Sequence, residues 1–227
     1  MSRPQVVAHR GSSAGHADNS WAAFAAAVAE GADSIECDVQ ATRDGAIVVR
    51  HDLVIGDCLV ADLRLSDVMA LAPGTIVLAD LLAFAAKESI DLLVELKDAG
   101  AAVAVARAIA AHAHCARIEV GSFPGPAIAA VKTAATALRP SFMMGRVAGP
   151  ADLIGLAAAF RSAGVHLCWE SRAPRPHRLL DRTMIAALRD AGLAVTLWHE
   201  ERIDELLALV ALGPDAICTN TPAVLRH

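Results

Sequence analysis

The 227-residue chain has no tyrosine at all, and aromatic residues make up only 4% of it. So few ring faces exclude the stacking platforms on which single-stranded nucleic acid is held. Tracts of basic residues are absent and the formal net charge is −5, which removes nucleic acid and anionic membrane as main partners. No apolar run reaches spanning length without a charge or a breaker, so membrane insertion is not expected. The five cysteines (Cys37, Cys58, Cys115, Cys168 and Cys218) are odd in number and form no C-x-x-C pair. They read as buried reduced thiols, which points to a cytoplasmic setting. Strand-like residues begin at Gln5, so no secretory leader is expected. Neither G-x-G-x-x-G after the first strand nor G-x-x-x-x-G-K-[ST] occurs, and a nucleotide-binding open sheet loses its best support.

What is present is regular alternation. Strand patterns cover Gln5–His9, Ser34–Val39, Asp91–Lys97, Ile118–Phe123, Arg139–Met143, Val165–Trp169, Leu193–Trp198 and Ala216–Thr219. Between them lie helical patterns, the first capped within Asp18-Asn19-Ser20 and stopped by Gly31. The others are Leu78–Lys87, Ala101–Ala113, Pro126–Ala137, Ala151–Ala163, Thr183–Ala191 and Ile203–Leu212. Residues 53–77 form an irregular excursion with a helical turn at Leu65–Leu71, and the last eight residues are too few for a full closing helix. Eight strands alternating with seven helices predict a parallel sheet closed into a (β/α)8 TIM barrel, a single domain over residues 1–227. The apolar fraction of 55%, much of it alanine, suits a large core packed by small-residue helices.

The stretch Ser34–Asp52 carries the densest chemistry. Ile35, Cys37 and Val39 alternate with Glu36 and Asp38, so one face is apolar and the other acidic. Asp44-Gly45 is a strong signal for a two-residue type I′ hairpin. Such a turn would set Asp38 opposite His51 and Glu36 opposite Leu53, with Glu36, Asp38 and His51 sharing a face. Two carboxylates and an imidazole are costly to bury together without a purpose.

In a barrel of this kind the site lies at the C-terminal ends of the strands. The polar residues at those ends are His9, Arg10, Glu36, Asp38, Glu95, Lys97, Ser122, Trp198, His199 and Asn220. Glu36, Asp38 and Glu95 offer three anionic oxygen donors, a set suited to Mg²⁺ or Ca²⁺ rather than zinc. His9 and His51 suit proton transfer in both directions near neutral pH. Arg10 and Lys97 add positive charge that matches phosphate oxygens. Together they predict a metal-dependent site that binds and cleaves a phosphoryl group of a small molecule. Trp198 is a candidate pocket wall. The basic run Glu170–Arg178 and the pair Glu200-Glu201 read as solvated, and His112-x-His114 as helix-end dipole partners.

These residues make up a pattern. H-R-G at 9–11, Asp18-Asn19-Ser20, E-C-D-V-Q-A-T-R-D-G at 36–45, His51-Asp52, V-E-L-K at 94–97, Ser122-Phe123, Trp198 and A-I-C-T-N-T-P at 216–222 are its carriers. The chain resembles the glycerophosphodiester phosphodiesterase family over nearly its whole length. The resemblance implies a metal-dependent barrel that hydrolyses glycerophosphodiesters to an alcohol and glycerol 3-phosphate. It implies Glu36, Asp38 and Glu95 as metal ligands, His9 and His51 as the acid/base pair, and Arg10 and Lys97 as phosphate contacts. Departures occur at Leu53-Val54-Ile55-Gly56, in place of an Arg-Thr-Thr-type segment, and after Trp198, where the usual Thr-Val-Asn becomes His199-Glu200-Glu201. The usual terminal Thr-Asp-Arg-Pro is Thr219-Asn220-Thr221-Pro222. These changes leave open a relative acting on another phosphodiester, sugar-linked or from a lipid head group; a non-catalytic phosphodiester-binding barrel is the remaining alternative.

Overall fold

A computed structural model describes residues 3–112 and 118–226. Among these, eight parallel strands lie side by side in chain order: Gln5–Ala8, Ser34–Ala41, Asp91–Leu96, Ile118–Ser122, Arg139–Met144, Gly164–Cys168, Ala194–Trp198 and Ala216–Thr219. Val7 of the first strand sits beside Ser34 of the second and Cys218 of the eighth, and this double pairing closes the barrel. The outer helices are Trp21–Ala29, Leu78–Glu88, Ala102–Ala110, Gly125–Ala134, Pro150–Phe160, Arg182–Asp190 and Ile203–Leu212. A 3₁₀ segment, Pro222–Arg226, stands where an eighth closing helix would be. The fold is the (β/α)8 barrel that the alternation predicts.

Strand alternation decides which side chains face which layer. Ile35, Cys37 and Val39 are fully buried and share one apolar cluster with Phe24, Ala27, Leu81 and Ala85 of the helices. Burial of each large apolar side chain contributes roughly 1.5–3 kcal/mol. Val7, Leu93, Met143, Trp198 and Cys218 form a separate cluster inside the barrel. Glu36 and Asp38 therefore have to point inward, toward the barrel axis. The first helix starts where Ser20 Oγ accepts the Ala23 N–H at 3.2 Å. Helix Gly125–Ala134 stops short of Ala137, because Lys132 Nζ donates to the carbonyls of Thr136 (2.6 Å) and Leu138 (3.0 Å) and draws the chain into the next strand.

The hairpin register differs from the type I′ expectation by one residue. Val39 faces Val49, Gln40 faces Val48 and Ala41 faces Ile47. Thr42 N donates to Ala46 O at 2.8 Å and Gly45 N to Thr42 O at 2.9 Å, with Gly45 at φ +83°. This is a three-residue loop, a type I turn followed by a left-handed glycine. Side chains favour the wider loop: Thr42 Oγ1 accepts the Ala46 N–H (3.0 Å), and Asp44 Oδ1 accepts both the Thr42 hydroxyl (2.7 Å) and the Leu65 N–H (3.0 Å). Asp38 consequently lies opposite Arg50, whose N–H reaches its carbonyl at 2.8 Å, and His51 stands beyond the end of the returning strand.

The excursion is more ordered than its sequence suggests. Val54–Ile55 and Cys58–Leu59 make a small hairpin, Leu65–Leu71 is a helix, and Ile76–Val77 pairs with the returning arm Ile47–Val49. Val48, Ile55, Val60 and Val68 give it a core of its own. Cys37 and Cys218 are buried free thiols, but Cys168 is half-buried and Cys58 exposed, contrary to expectation. Cys115 and His114 lie outside the described residues, and His112 falls beyond the end of helix Ala102–Ala110. No described helix is long and apolar enough to cross a membrane.

Candidate active site

Three carboxylates converge at the C-terminal mouth of the barrel. Glu36, Asp38 and Glu95 each offer an oxygen within 4.8 Å of the others. Strand pairing brings this about, since Asp38 stands beside Glu95 in register. Glu36 and Asp38 are completely buried and Glu95 nearly so. Burial, then the charges of Asp38 and Glu95, hold the Glu36 carboxyl well above the usual carboxylate range. Burial raises Glu95 as well, against the opposing pull of Lys97. Glu36 Oε2 accepts the Arg10 N–H at 2.8 Å, whereas Glu36 Oε1 is buried with no hydrogen-bond partner.

Cations and amides surround the acids. Lys97 Nζ lies 3.0 Å from Asp38 Oδ1 and bonds Glu95 Oε1; burial alone would lower its pKa, but the two carboxylates raise it. Arg10 Nε is 3.2 Å from Asp38 Oδ2, and its Nη1 is 2.8 Å from Asp18. Asn19 donates from Nδ2 to Asp38 Oδ2 at 2.8 Å. Arg10 and Asn19 both adopt left-handed backbone, at φ +55° and +54°. Between them, Gly11 at φ +84° brings the loop so close to the first helix that a Cβ would stand 2.6 Å from the Ala23 carbonyl carbon. The H-R-G triplet is therefore a backbone requirement as well as a source of functional groups.

The two histidines occupy different surroundings. His9 is 7% exposed, with Nδ1 2.7 Å from Asn220 Oδ1 and Nε2 3.9 Å from Glu36 Oε2. Burial, followed by the neighbouring His199, lowers its pKa to about 4. His51 is at the rim, its side chain 42% exposed and its Nδ1 2.8 Å from Asp52 Oδ1. Buried Gln40 holds the His51 loop, its Nε2 lying 3.0, 3.3 and 2.7 Å from the carbonyls of Arg50, His51 and Asp52. A cleft of about 320 Å³ opens beside His51 and Arg10, bounded by Asp18, Arg50 and the 73–75 turn.

Trp198 is only 7% exposed and meets the His9 ring edge-on, with centroids 5.6 Å apart. Its indole N–H donates to His166 Nδ1 (2.8 Å), and His166 Nε2 donates in turn to Glu119 Oε1 (2.8 Å). Ser122 is buried, its hydroxyl donating to Leu96 O at 3.3 Å. Glu200 is buried, not solvated, and Glu201 is half-buried. Glu200 is 4% exposed and pairs with Arg202, and Glu201 accepts three hydrogen bonds from the last strand's exit. The basic run is only partly free, since His177 Nδ1 bonds Glu205 at 2.6 Å and Pro176 is buried. Gln40, Asn19, His166 and Glu119 were not singled out for the site from sequence. Gln40 lies one step along the Glu36, Asp38 alternation, Asn19 acts from the loop before the first helix, and the His166–Glu119 pair depends on contact between separate strands.

The glycerophosphoryl diester phosphodiesterase family model matches residues 9–224. A Mycobacterium tuberculosis protein named a probable glycerophosphodiester phosphodiesterase is 55% identical over 49 residues, a match covering 22% of this chain and 18% of that protein. A Bacillus subtilis protein provisionally named for the same activity is 28% identical over 243 residues, 96% of this chain and 94% of its own length. Among solved structures, an Oleispira antarctica phosphodiesterase in complex with the product sn-glycerol-3-phosphate superposes with a TM-score of 0.83 at 21% identity, covering 99% of this chain and 96% of that one, a likeness of fold. With the family model spanning almost every described residue, the chain belongs to the glycerophosphoryl diester phosphodiesterase family of enzymes.

Proposed function

We propose that the protein is a metal-dependent phosphodiesterase that hydrolyses glycerophosphodiesters to an alcohol and glycerol 3-phosphate. The observation that carries this reading is the meeting of Glu36, Asp38 and Glu95 within 4.8 Å beside His9 and Lys97. The residues fit a hard divalent cation, Mg²⁺ or Ca²⁺: all three donors are carboxylates, and Glu36 Oε1 is buried without a partner. When bound, such a cation supplies Lewis-acid stabilisation of the phosphoryl oxygens.

The chain's own residues do the rest. Glu36, Asp38 and Glu95 would hold the ion, and Arg10 and Lys97 neutralise the diester and the charge that builds on its non-bridging oxygens. His9 and His51 exchange the protons, one deprotonating the nucleophile and the other protonating the leaving alcohol. Trp198 walls the His9 side of the pocket. The whole chain acts as one barrel domain on a small-molecule substrate, in a reducing cytoplasmic setting supported by the free thiols of Cys37, Cys58, Cys168 and Cys218. The test is release of glycerol 3-phosphate from glycerophosphocholine, glycerophosphoethanolamine and glycerophosphoglycerol, before and after chelation and readdition of Mg²⁺ or Ca²⁺. Activity restored by a divalent cation and reduced roughly 10²–10⁴-fold in His9→Ala and in His51→Ala is expected. Full activity in chelator, or in either variant, overturns the assignment.

A further inference from the structure

The His9 ring is held at Nδ1, on one face and at one edge, with Nε2 toward the carboxylates. Its Nδ1 meets Asn220 Oδ1 at 2.7 Å, and Ser13 Oγ lies 2.9 Å from the same oxygen. His199 covers one face, with ring centroids 4.5 Å apart and planes 20° from parallel, while Trp198 closes an edge at 69°. Nε2 alone is left pointing toward Glu36 Oε2, 3.9 Å away. One side chain bonds the pin and lies at ion-pair distance from the stack. Glu201 Oε1 accepts the Asn220 N–H at 2.8 Å and lies 3.5 Å from His199 Nδ1. Its Oε2 accepts the hydroxyls of Thr219 and Thr221, both at 3.1 Å. A carboxylate only accepts, so it ties the exit of the seventh strand to that of the eighth. These residues fall in two of the three stretches where the sequence departs from the pattern it otherwise resembles.

We propose that Asn220, His199 and Glu201 are positioning residues for His9, fixing its ring and its Nδ1–H tautomer so that Nε2 is the reactive nitrogen. An amide oxygen that accepts from Nδ1 leaves the lone pair of a neutral imidazole on Nε2. A neutral partner does this without placing a fourth carboxylate beside Glu36, Asp38 and Glu95. The stacked His199 stops the ring from swinging away. A positioned acid–base group contributes roughly 10²–10⁴-fold to rate, which bounds what misplacing it can cost. The role of His9 in hydrolysis rests on the proposed function; the tautomer does not.

The test is a ¹H–¹⁵N multiple-bond spectrum of histidine-labelled protein at pH 8, with the His9 signals assigned by their loss in His9→Ala. The Nδ1–H pattern is expected in the native protein and in Asn220→Asp, which keeps the acceptor, and the Nε2–H pattern in Asn220→Ala. Kinetically, Asn220→Ala and Glu201→Ala lower kcat by at least about 10-fold with KM changed less than about 3-fold, as positioning residues that act through His9 should. His199→Phe, which keeps the stacked plane, recovers most of the rate lost in His199→Ala. An Nε2–H pattern in the native protein overturns the proposal, and so does an unchanged tautomer with unchanged kcat in Asn220→Ala. If no glycerophosphodiester is hydrolysed but the tautomer shifts as expected, the proposed function fails and the frame stands.

Discussion

Replacing Glu36 by Gln should make the metal-free protein more stable while removing its response to metal. Among the three acids Glu36 is the least compensated, since Lys97 pairs with Asp38 and Glu95, and Arg10 pairs with Asp38 through its side chain. Glu36 receives a backbone N–H on Oε2 and nothing on Oε1. With an effective dielectric constant of about 20, two charges 4.8 Å apart repel by roughly 3.5 kcal/mol, and Glu36 faces two such neighbours. Lys97, Arg10 and the raised pKa of Glu36 offset part of that, leaving a net relief of roughly 2 kcal/mol on neutralisation. Glutamine keeps the shape and the acceptor for the Arg10 N–H. For a chain of this size 1 kcal/mol moves Tm by about 2–4 °C, so chelator-treated Glu36→Gln should melt roughly 4–8 °C above chelator-treated native protein at pH 8. Adding millimolar Mg²⁺ or Ca²⁺ should raise the native Tm and leave that of the variant nearly unchanged. Differential scanning calorimetry in chelator and in metal reads both effects. A metal-free variant that melts below the native protein, or one that still gains the full metal-induced shift, would refute the electrostatic account of this site.

Gly11→Ala forces a Cβ to within 2.6 Å of Ala23 backbone at a left-handed φ of +84°, and should cost at least about 2 kcal/mol in urea unfolding. It should also lower activity, because the same loop carries His9 and Arg10. The His9 pKa is about 4 when folded against a reference of 6.5, so between those values the unfolded chain binds more protons. Stability from this residue is lost as pH falls through the window and is constant above it. The slope, worth up to roughly 3 kcal/mol in all, should flatten in His9→Gln when urea unfolding is followed from pH 4 to 7. Gln40→Leu removes the amide that gathers the carbonyls of Arg50, His51 and Asp52. Steady-state assays should show kcat reduced by about 10-fold or more, with the metal-induced Tm shift intact because no carboxylate ligand is touched.

The barrel was legible because it depends on local periodicity. Apolar residues at Ile35, Cys37 and Val39 need a covered face wherever that strand packs, so the inward direction of Glu36 and Asp38 was fixed before any partner was known. The H-R-G and V-E-L-K strand ends followed from the same logic, and with them His9, Arg10, Glu95 and Lys97. Turn chemistry was less transparent. Asp44-Gly45 marks a hairpin, but its width was decided by Thr42 and by Asp44's bond to Leu65 N, a residue of the excursion. That shift of one residue moved His51 off the strand and left its placement to Gln40.

Polar pairs between distant strands carried no local signal. Glu201 looks like a solvated surface residue by sequence, because nothing nearby announces the Asn220 N–H or the hydroxyls of Thr219 and Thr221 as partners. Asn220 could be recognised as a strand-end polar residue, but its contact with His9 joins positions 211 residues apart. Composition and alternation thus determined the fold, the inward acids and the chemical class of the site. Tertiary structure alone decided which nitrogen of His9 faces those acids, what holds its ring and where His51 stands, since these depend on side chains that meet only once the barrel has closed.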